Sequence, residues 1–112
     1  MKGTVLVVDD SGLARRRVRS ILEQAGYDVV EAEDGMAALE RYFVTKPDLV
    51  LLDLVMKGMH GLDVLTKLRE MDPSARVIVV SADVQTSSHE MVERAGAAGF
   101  LMKPVDSDEV LA

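Results

Sequence analysis

The sequence predicts an α/β domain in which helices cover both faces of a five-stranded parallel sheet. Continuous apolar runs over 4–8, 49–52 and 77–80 are typical of strands that are buried on both faces. Segments with apolar residues at helical spacing separate these runs, and strands and helices therefore alternate along the chain. Strict alternation favours parallel strands joined by crossover helices.

The first half of the chain predicts three strands and two helices. After the first strand, Ser11 and Gly12 open a helix that Gly26 ends, with an inward stripe of Ala14, Val18, Ile21, Leu22 and Ala25. Residues 28–32 form a short strand whose charges place it near an edge. Asp34 caps a second helix that ends at Lys46 and Pro47, with an inner face of Ala38, Leu39 and Tyr42. The third strand then ends at Asp53.

The second half predicts two further strands and three helices. A third helix runs from about Leu62 to the Asp72-Pro73 terminator, with Val64, Leu65, Leu68 and Met71 inward. Ser87 begins a fourth helix and residues 98–102 form the last strand. Asp106 begins a final helix of only about two turns. We expect a shortened last helix, and the sequence reads as a single domain over 1–112, either trimmed or the front of a longer protein.

Composition limits the class of protein. The chain has 112 residues, a formal charge of −6 and no cysteine. A single domain with one core is expected, and the acidic balance argues against direct binding to nucleic acid or to an anionic membrane. No signal-peptide pattern is present, and no apolar run approaches the ~20 residues of a spanning helix. We therefore expect a soluble cytoplasmic protein.

Polar residues follow four of the predicted strands, at the point where each strand ends. They are Asp9, Asp10, Asp53, Ser81 and Lys103. Because the carboxyl ends of parallel strands share one edge of a sheet, these side chains are expected to converge. Capping residues are common at strand ends, but two carboxylate positions, a hydroxyl and an ammonium together favour a functional site.

The chemistry of such a site is restricted by its charge. At about 4 Å and an effective dielectric of ~20, each pair of carboxylates repels by ~4 kcal/mol. A divalent cation relieves this repulsion, and oxygen ligands around an open position suit Mg²⁺ or Mn²⁺. With Lys103 and Ser81 added, the site is equipped to hold phosphoryl oxygens, and Asp53, alone on a middle strand, is the best nucleophile.

The motifs at 7–11, 51–56, 80–82 and 96–104 together resemble a response-regulator receiver domain of the chemotaxis-regulator type. The resemblance covers essentially the whole chain except the shortened last helix. It implies a flavodoxin-like fold with strand order 2-1-3-4-5. It also implies a phosphorylation-dependent switch in two-component signalling. Such a domain is not a conventional enzyme, although it catalyses its own phosphorylation and dephosphorylation.

The resemblance also implies the roles of individual residues. Asp53 is expected to accept a phosphoryl group from a sensor histidine kinase or phosphotransfer protein. Mg²⁺ is expected on Asp10, Asp53 and the backbone carbonyl of Val55, with Asp9 acting partly through water. Lys103 and Ser81 are expected to contact the phosphoryl oxygens. A rotamer change of Phe100 then alters the face of the fourth helix, last strand and last helix towards an output partner.

Two regions leave the interpretation open. The loop 56–61 lacks the proline usual in this family and carries His60, which is best explained as a solvated loop residue. In the run of Arg15, Arg16, Arg17 and Arg19, a solvated face is the simpler explanation. The resemblance adds a docking surface for the phosphodonor, with Arg16 and Arg19 as candidate contacts.

Three rival functions remain. A flavin-binding relative of the same fold would cradle a phosphate with its first loop, where Asp9 and Asp10 would repel it. A haloacid-dehalogenase-type phosphatase needs a second Asp two residues after the nucleophile, where this chain has Gly12 or Val55. A receiver that no longer takes phosphate is weakened by the presence of all the chemical residues.

Overall fold

The computed structural model describes residues 3–53, 61–81, 97 and 99–102. Within these ranges it contains five strands and three helices that alternate as far as β4. They are β1 (Thr4–Val8), α1 (Gly12–Gln24), β2 (Asp28–Ala32), α2 (Gly35–Thr45), β3 (Leu49–Asp53), α3 (Gly61–Met71), β4 (Val77–Ser81) and β5 (Gly99–Met102).

The strands form one parallel sheet in the order β2-β1-β3-β4-β5. This confirms the predicted fold class and strand order, and it places β2 at an edge as its charges indicated. The register pairs Val8 with Leu52 and Asp53 with Val80. The carboxyl ends of β1, β3 and β4 therefore lie side by side.

Alternation along each strand divides the core into two apolar clusters. Leu6, Val8 and Leu52 belong to the larger cluster, which packs against α2 and α3 through Ala38, Tyr42, Val64, Leu65 and Leu68. Val5, Val7 and Leu51 belong to the other, which packs against α1 through Val18 and Leu22. Helices thus cover both faces, which explains why the inner strands are continuously apolar.

Local signals fix the ends of α1 and α2. Ser11 and Asp34 are the N-caps, and each side chain accepts a hydrogen bond from the amide three residues later. The chain leaves α1 through Gly26, which has a φ of 98°. It leaves α2 through Lys46 with a φ of 50°, just before Pro47. All four ends were predicted from the sequence.

One predicted core residue was wrong. Met71 is 47% exposed, whereas Val64, Leu65 and Leu68 on the same helix are fully buried. Met71 is the last residue of α3, and Asp72 there turns the chain towards β4. Met71 therefore follows the helical spacing of the apolar residues but does not belong to the buried face of α3. The predicted fourth helix from Ser87 and the final helix from Asp106 lie outside the described residues.

None of the helices within the described ranges has the length and apolar character needed to cross a membrane.

Candidate metal centre

Three carboxylates meet at the carboxyl edge of the sheet. Asp9 and Asp10 directly follow β1, and Asp53 is the last residue of β3. Because Val8 is paired with Leu52, Asp9 and Asp53 take adjacent positions on neighbouring strands. One carboxylate oxygen from each of the three residues lies within 4.8 Å of the other two. The structure thus brings these three acids together, as the strand ends predicted.

The three acids differ in their exposure to solvent. Asp9 is 7% exposed and Asp53 is 6% exposed, whereas Asp10 lies on the surface. The cluster is therefore open on the side of Asp10 and enclosed on the side of the sheet. At this separation and an effective dielectric of ~20, each pair of charges repels by about 3 kcal/mol. Such a cluster is electrostatically suited to a divalent cation.

The residues at the junction between β1 and α1 hold Asp9 in place. The Asp9 amide donates to the carbonyl oxygen of Ala32 on β2 at 3.1 Å. Its carboxylate Oδ1 accepts a hydrogen bond from the Ser11 amide at 2.9 Å. The Ser11 hydroxyl in turn caps α1 by accepting from the Ala14 amide at 3.2 Å. The start of the helix and the first acid are therefore one connected unit.

An arginine network lies beside this junction. Arg15 Nη1 donates to the backbone carbonyl oxygen of Asp9, and Arg15 Nε donates to Glu31 Oε1 at 3.1 Å. Arg19 Nη1 donates to Glu31 Oε2 at 2.6 Å, and Arg19 Nε lies 3.3 Å from Glu23. The hydrogen bond from Arg19 holds the pKa of Glu31 below its usual value, with Arg15 adding to the effect against partial burial. Glu31 and Glu23 raise the pKa of Arg19.

Sequence reasoning missed this network. It treated the arginines as one run, whereas the structure separates them into two pairs. Arg15 and Arg19 are half-buried against Glu31, and Arg16 and Arg17 are exposed. The sequence did contain a signal, because Glu31 is a charged residue in an edge strand and Arg15 and Arg19 are spaced one turn apart on α1, the helix that precedes this strand.

The donor set fits a hard divalent cation. Carboxylate oxygens are the ligands that Mg²⁺, Ca²⁺ and Mn²⁺ prefer, and no thiolate or imidazole belongs to this cluster of described residues. Ligands at 2.0–2.1 Å from one Mg²⁺ are at most about 4.2 Å apart. The three oxygens lie within 4.8 Å of one another, which is close to that limit. The acidic cluster can therefore hold a metal ion.

The other predicted site residues are described only in part. Ser81 is the last residue of β4, paired with Met102 of β5, and it lies at the same edge as Asp53. Phe100 belongs to β5. The side chains of these two residues, and Val55 and Lys103 as a whole, lie outside the described part, so their roles stay predictions. Arg16 is exposed as expected, with Nε 3.3 Å from the Gly12 carbonyl oxygen.

Comparison with known proteins agrees with the fold. Residues 5–112 match the family model of the response regulator receiver domain. The chemotaxis protein CheY of Bacillus subtilis is 39% identical over 99% of this chain and 93% of its own length. CheY of Thermotoga maritima is 38% identical over 96% of this chain and 90% of its own.

A solved structure of a relative has a similar fold. The CheX–CheY–BeF₃–Mg²⁺ complex from Borrelia burgdorferi contains a chain that superposes with a TM-score of 0.93. It is 33% identical and covers 96% of this chain and 83% of that one.

The chain therefore belongs to the response regulator receiver domain family. It is a chemotaxis-type receiver of two-component signalling and acts as a phosphorylation-dependent switch. The predicted class of protein is confirmed.

Proposed function

We propose that residues 1–112 form one receiver domain in which Asp53 accepts a phosphoryl group while Mg²⁺ is bound at the acidic cluster. The observation that carries the proposal is the meeting of three carboxylate oxygens within 4.8 Å at the ends of β1 and β3. Asp10, Asp53 and the carbonyl of Val55 would hold the metal, and Asp9 would act partly through water. Mn²⁺ has the same ligand preferences and is a possible substitute.

Asp53 is the nucleophile in this proposal for two reasons. It ends β3, the middle strand, and it is paired with Val80, directly before the hydroxyl-bearing Ser81. Asp9 is already held by the Ser11 amide, and Asp10 is exposed. A phosphoryl group on Asp53 would thus lie between the acidic side of the site and the ends of β4 and β5.

Phosphoryl transfer forms one bond and breaks one. An Asp53 carboxylate oxygen attacks the phosphorus of a phosphohistidine, the P–N bond breaks, and the leaving imidazole takes a proton. Hydrolysis reverses the state of Asp53, because water attacks the same phosphorus and the P–O bond to the carboxylate breaks. When bound, Mg²⁺ supplies charge neutralisation between the carboxylates and the phosphoryl oxygens.

Lys103 and Ser81 complete the proposed site. The ammonium of Lys103 would pair with phosphoryl oxygens as a fixed positive charge. The hydroxyl of Ser81 would donate a hydrogen bond to the same group and move towards it. Burial of the Phe100 ring would follow. It would shift the population between two conformations of the output face, which is formed by the fourth helix, β5 and the last helix.

The phosphodonor would be a sensor histidine kinase or a phosphotransfer protein that docks partly on α1. The exposed guanidinium of Arg16 supports this proposal, whereas Arg19 is already engaged by Glu31 and Glu23. Charge reversal, Arg16→Glu, should slow transfer from a phosphorylated protein donor but leave transfer from a small acyl phosphate unchanged. A rate of transfer from the protein donor that is the same in Arg16→Glu and in wild type would contradict docking at this residue.

Incubation with a small acyl phosphate and Mg²⁺, followed by intact-mass measurement, tests the acceptor. The wild-type chain should gain one phosphoryl group and Asp53→Asn none. Asp63→Asn is the matched control, because Asp63 is an exposed acid in the first turn of α3 and does not belong to the acidic cluster. Phosphorylation that persists in Asp53→Asn, or that proceeds unchanged when Mg²⁺ is chelated, would overturn the proposed chemistry.

A further inference from the structure

We propose that Arg15, held by Glu31, is a positioning residue that sets the geometry of the acidic cluster and thereby the affinity for the divalent ion. The inference deepens the proposed function and rests on the proposed metal site. It concerns a side chain that makes no contact with the phosphoryl group in that mechanism.

The contacts of Arg15 join three elements of the fold. Its Nη1 donates to the carbonyl oxygen of Asp9 at 2.5 Å, and its Nε donates to Glu31 on β2 at 3.1 Å. The Asp9 carbonyl belongs to the peptide unit that links Asp9 to Asp10, and this unit is planar. The bond to this oxygen therefore restrains the peptide unit that carries the Cα atoms of both acidic residues.

Glu31 keeps the guanidinium in this position. Its carboxylate accepts hydrogen bonds from both Arg15 and Arg19, and Arg19 is held in turn by Glu23 on α1. The Glu31 side chain is 25% exposed and that of Arg15 is 19% exposed, so the pair is half-buried. Without Glu31, the Arg15 cation would be free to turn towards the three carboxylates and compete with the metal.

Positioning and simple electrostatics predict opposite results when Arg15 loses its charge. Removing a positive charge beside a cation site strengthens metal binding if only Coulomb attraction matters. Removing a residue that orients the ligands weakens binding, and outer-shell residues of metal sites typically contribute a factor of about 10–100. The sign of the change in affinity thus separates the two explanations.

The test is a Mg²⁺ titration followed by amide NMR shifts of the full 112-residue chain. Arg15→Met should raise the dissociation constant about tenfold. Arg17→Met is the matched control, because it removes the same charge from a neighbouring position of α1 that is exposed. The control should bind Mg²⁺ as wild type or slightly more tightly. Unchanged or tighter binding in Arg15→Met would overturn the inference.

A second variant separates charge from geometry. Arg15→Lys keeps the positive charge, but a single ammonium cannot reproduce the rigid two-point contact of a guanidinium. Weaker Mg²⁺ binding in this variant, with amide spectra that show an intact fold, supports positioning. Wild-type affinity in Arg15→Lys would mean that the two-point contact of the guanidinium does not set the geometry of the acidic cluster, and it would overturn the inference.

Asp10→Asn distinguishes failure of the inference from failure of the proposed function. If Asp10→Asn titrates like wild type, the metal does not bind at the acidic cluster, and both proposals fall. If Asp10→Asn loses binding while the Arg15 variants keep wild-type affinity, the metal site stands and only the role of Arg15 is overturned.

Discussion

Acidic side chains are clustered at the carboxyl edge of the sheet, whereas those at the amino edge are hydrogen-bonded individually. At the carboxyl edge, Asp9, Asp10 and Asp53 place three oxygens within 4.8 Å of one another. At the amino edge, Asp48 and Asp72 each accept hydrogen bonds from their own donors. Asp48 accepts from the Thr4 amide at 2.8 Å, and Asp72 accepts from the Tyr42 hydroxyl at 2.8 Å.

The contact between Tyr42 and Asp72 shows what the amino edge contributes. Tyr42 lies in α2 and is 6% exposed, and its hydroxyl reaches Asp72 just beyond the end of α3. Burial, with the hydrogen bond to Asp72 second, raises the pKa of Tyr42 to about 12. Bonds from Ser74 and then Tyr42 lower the pKa of Asp72. This edge ties two helices together and stabilises the fold.

The carboxyl edge instead gathers like charges, which costs stability in the absence of a cation. The two edges should therefore respond separately to substitution. Changes at the amino edge should alter unfolding and leave metal binding alone. Changes at the carboxyl edge should alter metal binding and alter unfolding little, or even favourably.

The largest expected effect is that of Tyr42→Ala. Loss of a buried aromatic ring, together with the donor to Asp72, should lower the free energy of unfolding by about 3 kcal/mol. Phe43→Ala is the matched control, because Phe43 follows in the same helix but is 71% exposed. It should change stability by no more than ~0.5 kcal/mol. Urea denaturation measures both.

The same Tyr42→Ala variant tests whether the edges are separate. While it is folded, its Mg²⁺ affinity should match that of the wild-type chain. A tenfold loss would show that the two edges are coupled through α2 or the sheet.

A smaller effect of opposite sign is expected at the carboxyl edge. Without Mg²⁺, Asp10→Asn should raise the free energy of unfolding by about 1 kcal/mol, because one of three like charges is removed at an exposed position. High salt should reduce this gain. With Mg²⁺ present, wild type should be more stable than Asp10→Asn, because the metal stabilises the folded wild-type chain that binds it.

Asp63→Asn removes the same charge from an exposed position on α3 and is the control for Asp10→Asn. Thermal unfolding at two salt concentrations, with and without Mg²⁺, makes the comparison. A loss of stability in metal-free Asp10→Asn would contradict the view that the acidic cluster is under electrostatic repulsion.

The sequence predicted the structure best where a physical requirement can be met by only a few residue types. Buried strands need unbroken apolar runs, and helix ends need caps, so the order of elements and the ends of α1 and α2 followed directly. Parallel strands share an edge, so the meeting of Asp9, Asp10 and Asp53 also followed.

Contacts that depend on side-chain reach could not be predicted in the same way. The bond from Tyr42 to Asp72 joins residues 30 positions apart, and nothing in their local pattern distinguishes it from ordinary core packing. The Arg15–Glu31 pair depends on how α1 crosses β2, which apolar spacing does not specify. Met71 fits the helical period yet is exposed, because the helix ends before another element covers it.

Alkaline titration gives a finer test of the amino edge. At neutral pH, Tyr42→Phe should lower the free energy of unfolding by about 1 kcal/mol through the lost hydrogen bond to Asp72. The raised pKa means that the unfolded chain releases the Tyr42 proton near pH 10 and the folded chain near pH 12. Wild-type stability therefore falls relative to Tyr42→Phe as pH rises through this window. A constant difference between the two proteins would contradict burial of the hydroxyl.

The smallest effect is expected for Glu31→Gln in acid. The arginines lower the pKa of Glu31 from its ordinary 4.5, so their stabilising contribution is present above that value and is lost as pH falls through the folded pKa. Because the pairs are partly exposed, the difference in unfolding free energy at neutral pH should be only ~0.5 kcal/mol, and salt should reduce it further. Urea denaturation of wild type and Glu31→Gln at a series of acidic pH values would show whether the difference in unfolding free energy decreases. If wild type and Glu31→Gln still differ strongly in unfolding free energy at the lowest pH, Glu31 stabilises the fold by packing and not by its charge. The carboxyl edge would then stabilise the fold as the amino edge does.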